Sequence, residues 1–103
     1  KQAHATSLNT QIGGNGWLYP MIGIANESGE LLGKAKKIFR DSGGSLTVAD
    51  GVALCVELAD VLWYVAETAT QLDVDLADLA ALNLRKLADR ANRGVIGGSG
   101  DER

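Results

Sequence analysis

Glu27 and Glu30 stand three residues apart in IANESGELLGKAKK, residues 24–37, and Glu57 and Asp60 stand three apart in ALCVELADVLWYVAET, residues 53–68. A helix advances about 100° per residue, so positions i and i+3 share a face. Each acidic pair therefore points one way. Antiparallel packing of the two segments would gather four carboxylates at one point. Such crowding is unfavourable without a counter-ion, because burial and like charge both penalise the ionised form. A hard divalent cation removes the penalty. Mg²⁺ takes oxygen ligands, keeps some of its waters and is completed by substrate phosphates. Carboxylates projecting inward from facing bundle helices are an established way to hold such an ion. The plainer alternative is a set of surface acids paired with lysines, and Glu30 with Lys34 has the favourable i,i+4 spacing. That alternative suits Glu57 and Asp60 less, since apolar residues flank them on nearly every side.

A second group of polar residues is cationic. Asn83, Lys86 and Arg90 follow i, i+3, i+7 spacing and form one stripe, which Arg93 extends. Lys and Arg suit phosphate oxygens, and Asn can donate beside them. Basic residues at a helix end also complement the helix dipole, which is the competing explanation. Lys34, Lys36 and Lys37 add positive charge just after the first acidic pair, and Lys37 is counted among the candidate substrate contacts. Trp63 and Tyr64 adjoin the second pair. They can stack on a nucleobase, or serve as core or dimer interface. Cys55 is the one cysteine and lies in an apolar run, so a buried, inert thiol is expected. His4 is alone near the start of the chain and is assigned no role.

Three helices are needed to position these groups. Pro20 suits a first helical turn, and apolar Ile24, Leu31, Ile38 and Phe39 recur at helical spacing, which predicts a helix over about 19–40. Gly23, Gly29 and Gly33 weaken it and suggest close approach by another backbone or a ligand. RDSGGS, residues 40–45, reads as a loop. Thr47 or Asp50 caps a second helix reaching about Leu72, apolar nearly all round and so expected to be buried on several sides. Asp73–Asp75 is a short connection. A third helix follows and stops at Gly94. Residues 1–12 can form a short helix, broken by the glycines of residues 12–17, and residues 95–103 form a glycine-rich tail. No strand pattern appears. The expectation is an all-α fold: an antiparallel helical bundle of three to four helices, one domain over residues 1–103, with its core completed by oligomerisation.

Composition narrows the function. Of 103 residues, 46% are hydrophobic, which excludes a disordered chain. A net charge of −3 argues against a binder of nucleic-acid polymers. No apolar run is long enough to cross a membrane, and the single cysteine fits a reduced, cytoplasmic setting.

LYPMIGIANESGELLGKAKK, ELADVLWYVAETATQLDVDL and LNLRKLADR resemble, in this order, three blocks of the MazG-like nucleoside triphosphate pyrophosphohydrolases, of the all-α pyrophosphatase superfamily. The likeness covers about residues 17–94. It implies a Mg²⁺ site, with Mn²⁺ as a substitute, held by Glu27, Glu30, Glu57 and Asp60. It implies hydrolysis of a nucleoside triphosphate to monophosphate and pyrophosphate, serving to remove surplus or non-standard nucleotides. Glu30 would orient or deprotonate the attacking water, and Glu57 would be essential. Asn83 and Lys86 match phosphate-contacting positions, with Arg90 one turn further on; Trp63 is counted beside them as a candidate substrate contact from its place next to the acids. The family forms homodimers or homotetramers. Asn26 departs from the pattern, standing where many members carry the first of two adjacent glutamates. That departure supports an alternative: a non-catalytic oligomerisation or regulatory module that binds metal or nucleotide.

Overall fold

The computed structural model describes residues 16–94. Three α-helices make up this region, with no strand among the described residues: α1 (Leu18–Ser42), α2 (Val48–Gln71) and α3 (Leu76–Arg93). The all-α expectation holds. The predicted features of residues 1–12 and 95–103 lie outside the described residues.

The helix ends follow from local chemistry. Thr47 and Asp50 form a capping box at the start of α2. The Thr47 N–H donates to Asp50 Oδ2 at 3.0 Å, and the Asp50 N–H donates to Thr47 Oγ1 at 3.1 Å. Both expected cap residues thus act together and satisfy two donors that the first turn leaves open. Asp75 caps α3, its N–H donating to Asp78 Oδ2 at 3.4 Å. Gly94 ends α3 in the left-handed region at φ 70°. One boundary differs from the sequence reading. Residues 40–42 are helical, and α1 stops only at Gly43, with φ 66°. Nothing in Arg-Asp-Ser breaks a helix. The Ser42 hydroxyl even donates back to the Ile38 carbonyl at 2.8 Å, and the first residue that adopts a left-handed turn at little steric cost is the glycine.

α1 and α2 run antiparallel along their lengths. Gly23 lies against Tyr64, and Lys34 reaches Glu57, so numbers rise along one helix as they fall along the other. α3 packs on α2 much less extensively. The result is a helical hairpin with a third helix attached, not a closed bundle. Ala69 on α2 is buried, and Pro20 and Gly23 are buried at the start of α1. Two sequence expectations are corrected here. α2 is covered along one side only, and Leu58 and Leu62 are each 54% exposed. Cys55 is exposed rather than buried, on an apolar hollow with Leu58, Ala59, Val61, Leu62 and Val65. Both corrections have one cause: a single chain supplies just one long neighbour for a helix that is apolar on several faces. Among the described residues, no helix is long and apolar enough to cross a membrane.

Candidate functional site

The antiparallel register sets the acidic residues opposite one another. Glu27 of α1 and Glu57 and Asp60 of α2 each place a carboxylate oxygen within 4.8 Å of the others. Glu27 and Glu57 are half-buried and Asp60 is exposed. Glu30 does not join this group. It is exposed, one turn further along α1, in a polar hollow with Asn26, Gly29, Gly33, Lys34 and Lys37. The predicted convergence of four carboxylates is thus met by three.

Lys34 also departs from the local rule. Its Nζ lies 3.0 Å from Glu57 Oε1, across the helix interface, instead of pairing with Glu30 on its own helix. The Glu57 side chain is 14% exposed, so the ammonium offsets part of the penalty of holding that carboxylate away from water. Sequence reasoning missed Lys34 as a site residue. The available signal was its position seven residues after Glu27, two helical turns along the same face.

Glu27 bears the electrostatic strain. Partial desolvation raises its carboxyl above the ordinary value of 4.5, and the charges of Asp60, Glu57 and Glu30 push it the same way. The folded protein therefore holds a proton on Glu27 more tightly than the unfolded chain does. The stability this confers is fully present below pH 4.5 and is lost as pH rises through the folded value. In chelator, the urea midpoint of the wild type is expected to fall relative to Glu27→Gln as pH rises from about 4.5 towards neutrality. A difference between the two proteins that stays flat with pH would rule this out. Saturating divalent cation is expected to reverse the trend by favouring the ionised cluster.

Beside the acids, Glu27, Asp60, Trp63 and Tyr64 line a cavity of about 420 Å³, within the size range of small-molecule sites. The Trp63 and Tyr64 rings meet edge to face, with centroids 5.0 Å apart and planes at 83°, a favoured geometry for two π-systems. Burial raises the Tyr64 hydroxyl above its ordinary value of 10.0, and Tyr19, which bonds to it, and the nearby acids add to the shift. The phenol stays protonated at neutral pH and keeps its donor. Gly23 makes room for this ring: a Cβ there would run into Tyr64. Close approach to Gly23 thus comes from a side chain on α2, while Gly29 and Gly33 face open space.

The α3 candidates are placed differently. Asn83 and Lys86 are exposed and line neither the aromatic cavity nor the polar hollow, and Arg90 is buried at 7% exposure. Arg90 therefore leaves the exposed stripe that its spacing suggested. Glu67 is an acid that the sequence reading passed over. It is fully buried, and its Oε1 accepts from Gln71 Nε2 at 3.0 Å. Its position continues the 57, 60, 64 face of α2, which was the available clue.

The family model for the MazG nucleotide pyrophosphohydrolase domain matches residues 20–95. The chain is 49% identical over 88 residues to the Gene 37 protein of Mycobacterium phage L5, a stretch covering 85% of this chain and 77% of that relative. No solved structure matches it.

Proposed function

Because the chain belongs to the MazG nucleotide pyrophosphohydrolase family, we propose that it hydrolyses a nucleoside triphosphate to the monophosphate and pyrophosphate in a Mg²⁺-dependent reaction. One observation supports this above others: three carboxylates from two helices converge beside a cavity lined by Trp63 and Tyr64. The donor set is all oxygen, which fits Mg²⁺ or Mn²⁺ and does not favour a soft metal. Glu27, Glu57 and Asp60 are the ligands in this reading. When bound, the ion supplies positive charge to phosphoryl oxygens and acidifies a water molecule.

The chain's own residues supply the rest. Trp63 offers its face to the base, and Tyr64 closes the cavity beside it. Glu30, outside the ligand group, orients the water and accepts its proton. Attack at the α-phosphorus breaks the α–β anhydride bond, and pyrophosphate departs. Lys37, in the hollow next to Glu30, offers charge to the departing group. Asn83 and Lys86 are assigned phosphate contacts from the family pattern. Arg90, being buried, positions α3 in this reading and reaches no substrate. A second copy of the chain covers the bare apolar side of α2, giving a homodimer or homotetramer. The protein acts in the cytoplasm on free nucleotides, removing surplus or non-standard ones. Asn26 lies in the polar hollow, and three carboxylates converge without a charge at that position. This weakens the case for a non-catalytic module.

The test is a panel of common and modified nucleoside triphosphates incubated with the protein and Mg²⁺, with monophosphate and pyrophosphate both quantified. Stoichiometric release of the two from at least one substrate supports the reading. Nucleotide binding by calorimetry with no product from any member of the panel would overturn it in favour of the module.

A further inference from the structure

Lys34 sits between two environments. Its Nζ is 3.0 Å from Glu57 Oε1, and Glu57 belongs to the three-carboxylate group. Its side chain also lines the polar hollow with Asn26, Glu30 and Lys37, where nothing stands over the backbone of Gly29 and Gly33. The Lys34 side chain is 38% exposed. Lysine is a point charge on a flexible stem, with no planar fork to lock it in place. A carboxylate as sheltered as Glu57, 14% exposed, gains from a positive partner.

We infer that Lys34 is an exchangeable counter-ion: it neutralises Glu57 while the metal is absent, yields Glu57 to the divalent cation, and turns its ammonium into the adjoining hollow to meet the phosphate oxygens of the substrate. The inference rests on the metal reading given above and adds a positioning residue to it. The exchange is favoured by charge and reach. An ammonium on a side chain satisfies one carboxylate here, whereas a divalent ion held by Glu27, Glu57 and Asp60, whose oxygens lie within 4.8 Å of one another, would offset the charge of more than one. Once displaced, Lys34 is repelled by the new cation and attracted by phosphate. One residue thus ties metal loading to substrate capture.

Two titrations with opposite expected signs test this. Mn²⁺ is titrated into the wild type, Lys34→Met, Lys34→Arg and Glu57→Gln by calorimetry, with circular dichroism confirming helix content. Pyrophosphate is then titrated into each Mn²⁺-saturated protein. Lys34→Met is expected to bind Mn²⁺ about threefold to fivefold tighter, the factor that an ion pair of this exposure is worth. It is expected to bind pyrophosphate about tenfold weaker, the effect of losing one charge-assisted hydrogen bond. Lys34→Arg is expected to stay close to the wild type in both. A residue that merely braces the two helices would shift both titrations in one direction. Mn²⁺ affinity unchanged or weakened in Lys34→Met would overturn the exchange, as would unchanged pyrophosphate affinity. If the wild type binds Mn²⁺ and Glu57→Gln does not, the metal reading stands whatever Lys34 does. If the wild type itself binds no Mn²⁺, the metal reading falls, and the exchange falls with it.

Discussion

Exchange of Glu57 for glutamine is expected to lower kcat/KM for Mg²⁺-dependent nucleotide hydrolysis by a factor of about 10³ or more, equivalent to about 4 kcal/mol of transition-state stabilisation. The substitution keeps the shape of the side chain and removes one charge. Of the three clustered acids, Glu57 is the one whose carboxylate is paired across the helix interface. It is also more sheltered than Asp60, which is exposed. In the metal reading proposed above, loss of its charge removes both a ligand and the partner of Lys34. The fold is expected to survive. The ion pair is partly solvated, and pairs of that kind contribute less than about 1 kcal/mol to stability. Thermal denaturation within a few degrees of the wild type, together with abolished turnover, is the expected combination. Retention of more than a tenth of wild-type activity at saturating Mg²⁺ would remove Glu57 from the metal site. Glu30→Gln should differ in kind, lowering kcat while leaving Mn²⁺ affinity near the wild-type value, because Glu30 lies outside the three clustered carboxylates.

The features legible in the sequence were those whose physics is local. The i,i+3 spacing placed Glu57 and Asp60 on one face, and Thr47 with Asp50 announced a helix start because the capping box closes within one turn. Gly94 likewise marked a stop that needs only its own left-handed backbone. What stayed hidden depends on the register between helices. The i,i+4 rule pairs Lys34 with Glu30, and no spacing rule says that a carboxylate twenty-odd residues later lies closer. The same ignorance of register set Glu30 beside the other three acids, whereas it lies in the neighbouring hollow while Glu27, Glu57 and Asp60 converge. Burial was misjudged for Cys55 and for Arg90 in opposite directions. An apolar run says that a helix seeks neighbours, but not whether one chain has enough of them. A cation at stripe spacing says nothing about which turn of α3 meets α2. The spacing of Glu67 puts it on the face of Glu57 and Asp60, but its burial is not legible for a related reason: a buried acid looks like a surface acid until its neighbours are known.

Replacement of Gly23 by alanine is expected to destabilise the protein by about 1–2 kcal/mol, and so to lower Tm by about 5–10 °C in a domain of this size. Two opposed effects decide the sign. Alanine in a helix interior gains up to about 1 kcal/mol over glycine. Overpacking a close contact costs about 1–3 kcal/mol. At Gly23 the second effect wins, because the new Cβ would occupy the space of the Tyr64 ring, with the Cγ, Cδ1 and Cε1 atoms all in its way. The ring has little freedom to withdraw. It is held by the edge-to-face contact with Trp63. At Gly29, where nothing lies within 4 Å of a new Cβ, only the first effect operates, and alanine is expected to raise stability by up to about 1 kcal/mol. Thermal melts of the two variants at one protein concentration should therefore move in opposite directions. A double-mutant cycle isolates the cause. Tyr64→Ala should be less harmful in the Gly23→Ala background than alone, since it removes the clash together with the ring. Because Tyr64 lines the cavity shared by Glu27 and Asp60, a displaced ring also pushes Trp63 off its position, so KM for the nucleotide should rise in Gly23→Ala and stay unchanged in Gly29→Ala. Equal stabilisation of both variants would show that α1 and α2 do not approach at Gly23 as described. The register that brings the three carboxylates together would then fail as well, because the Gly23–Tyr64 contact and the Glu27–Asp60 approach lie one helical turn apart on the same seam.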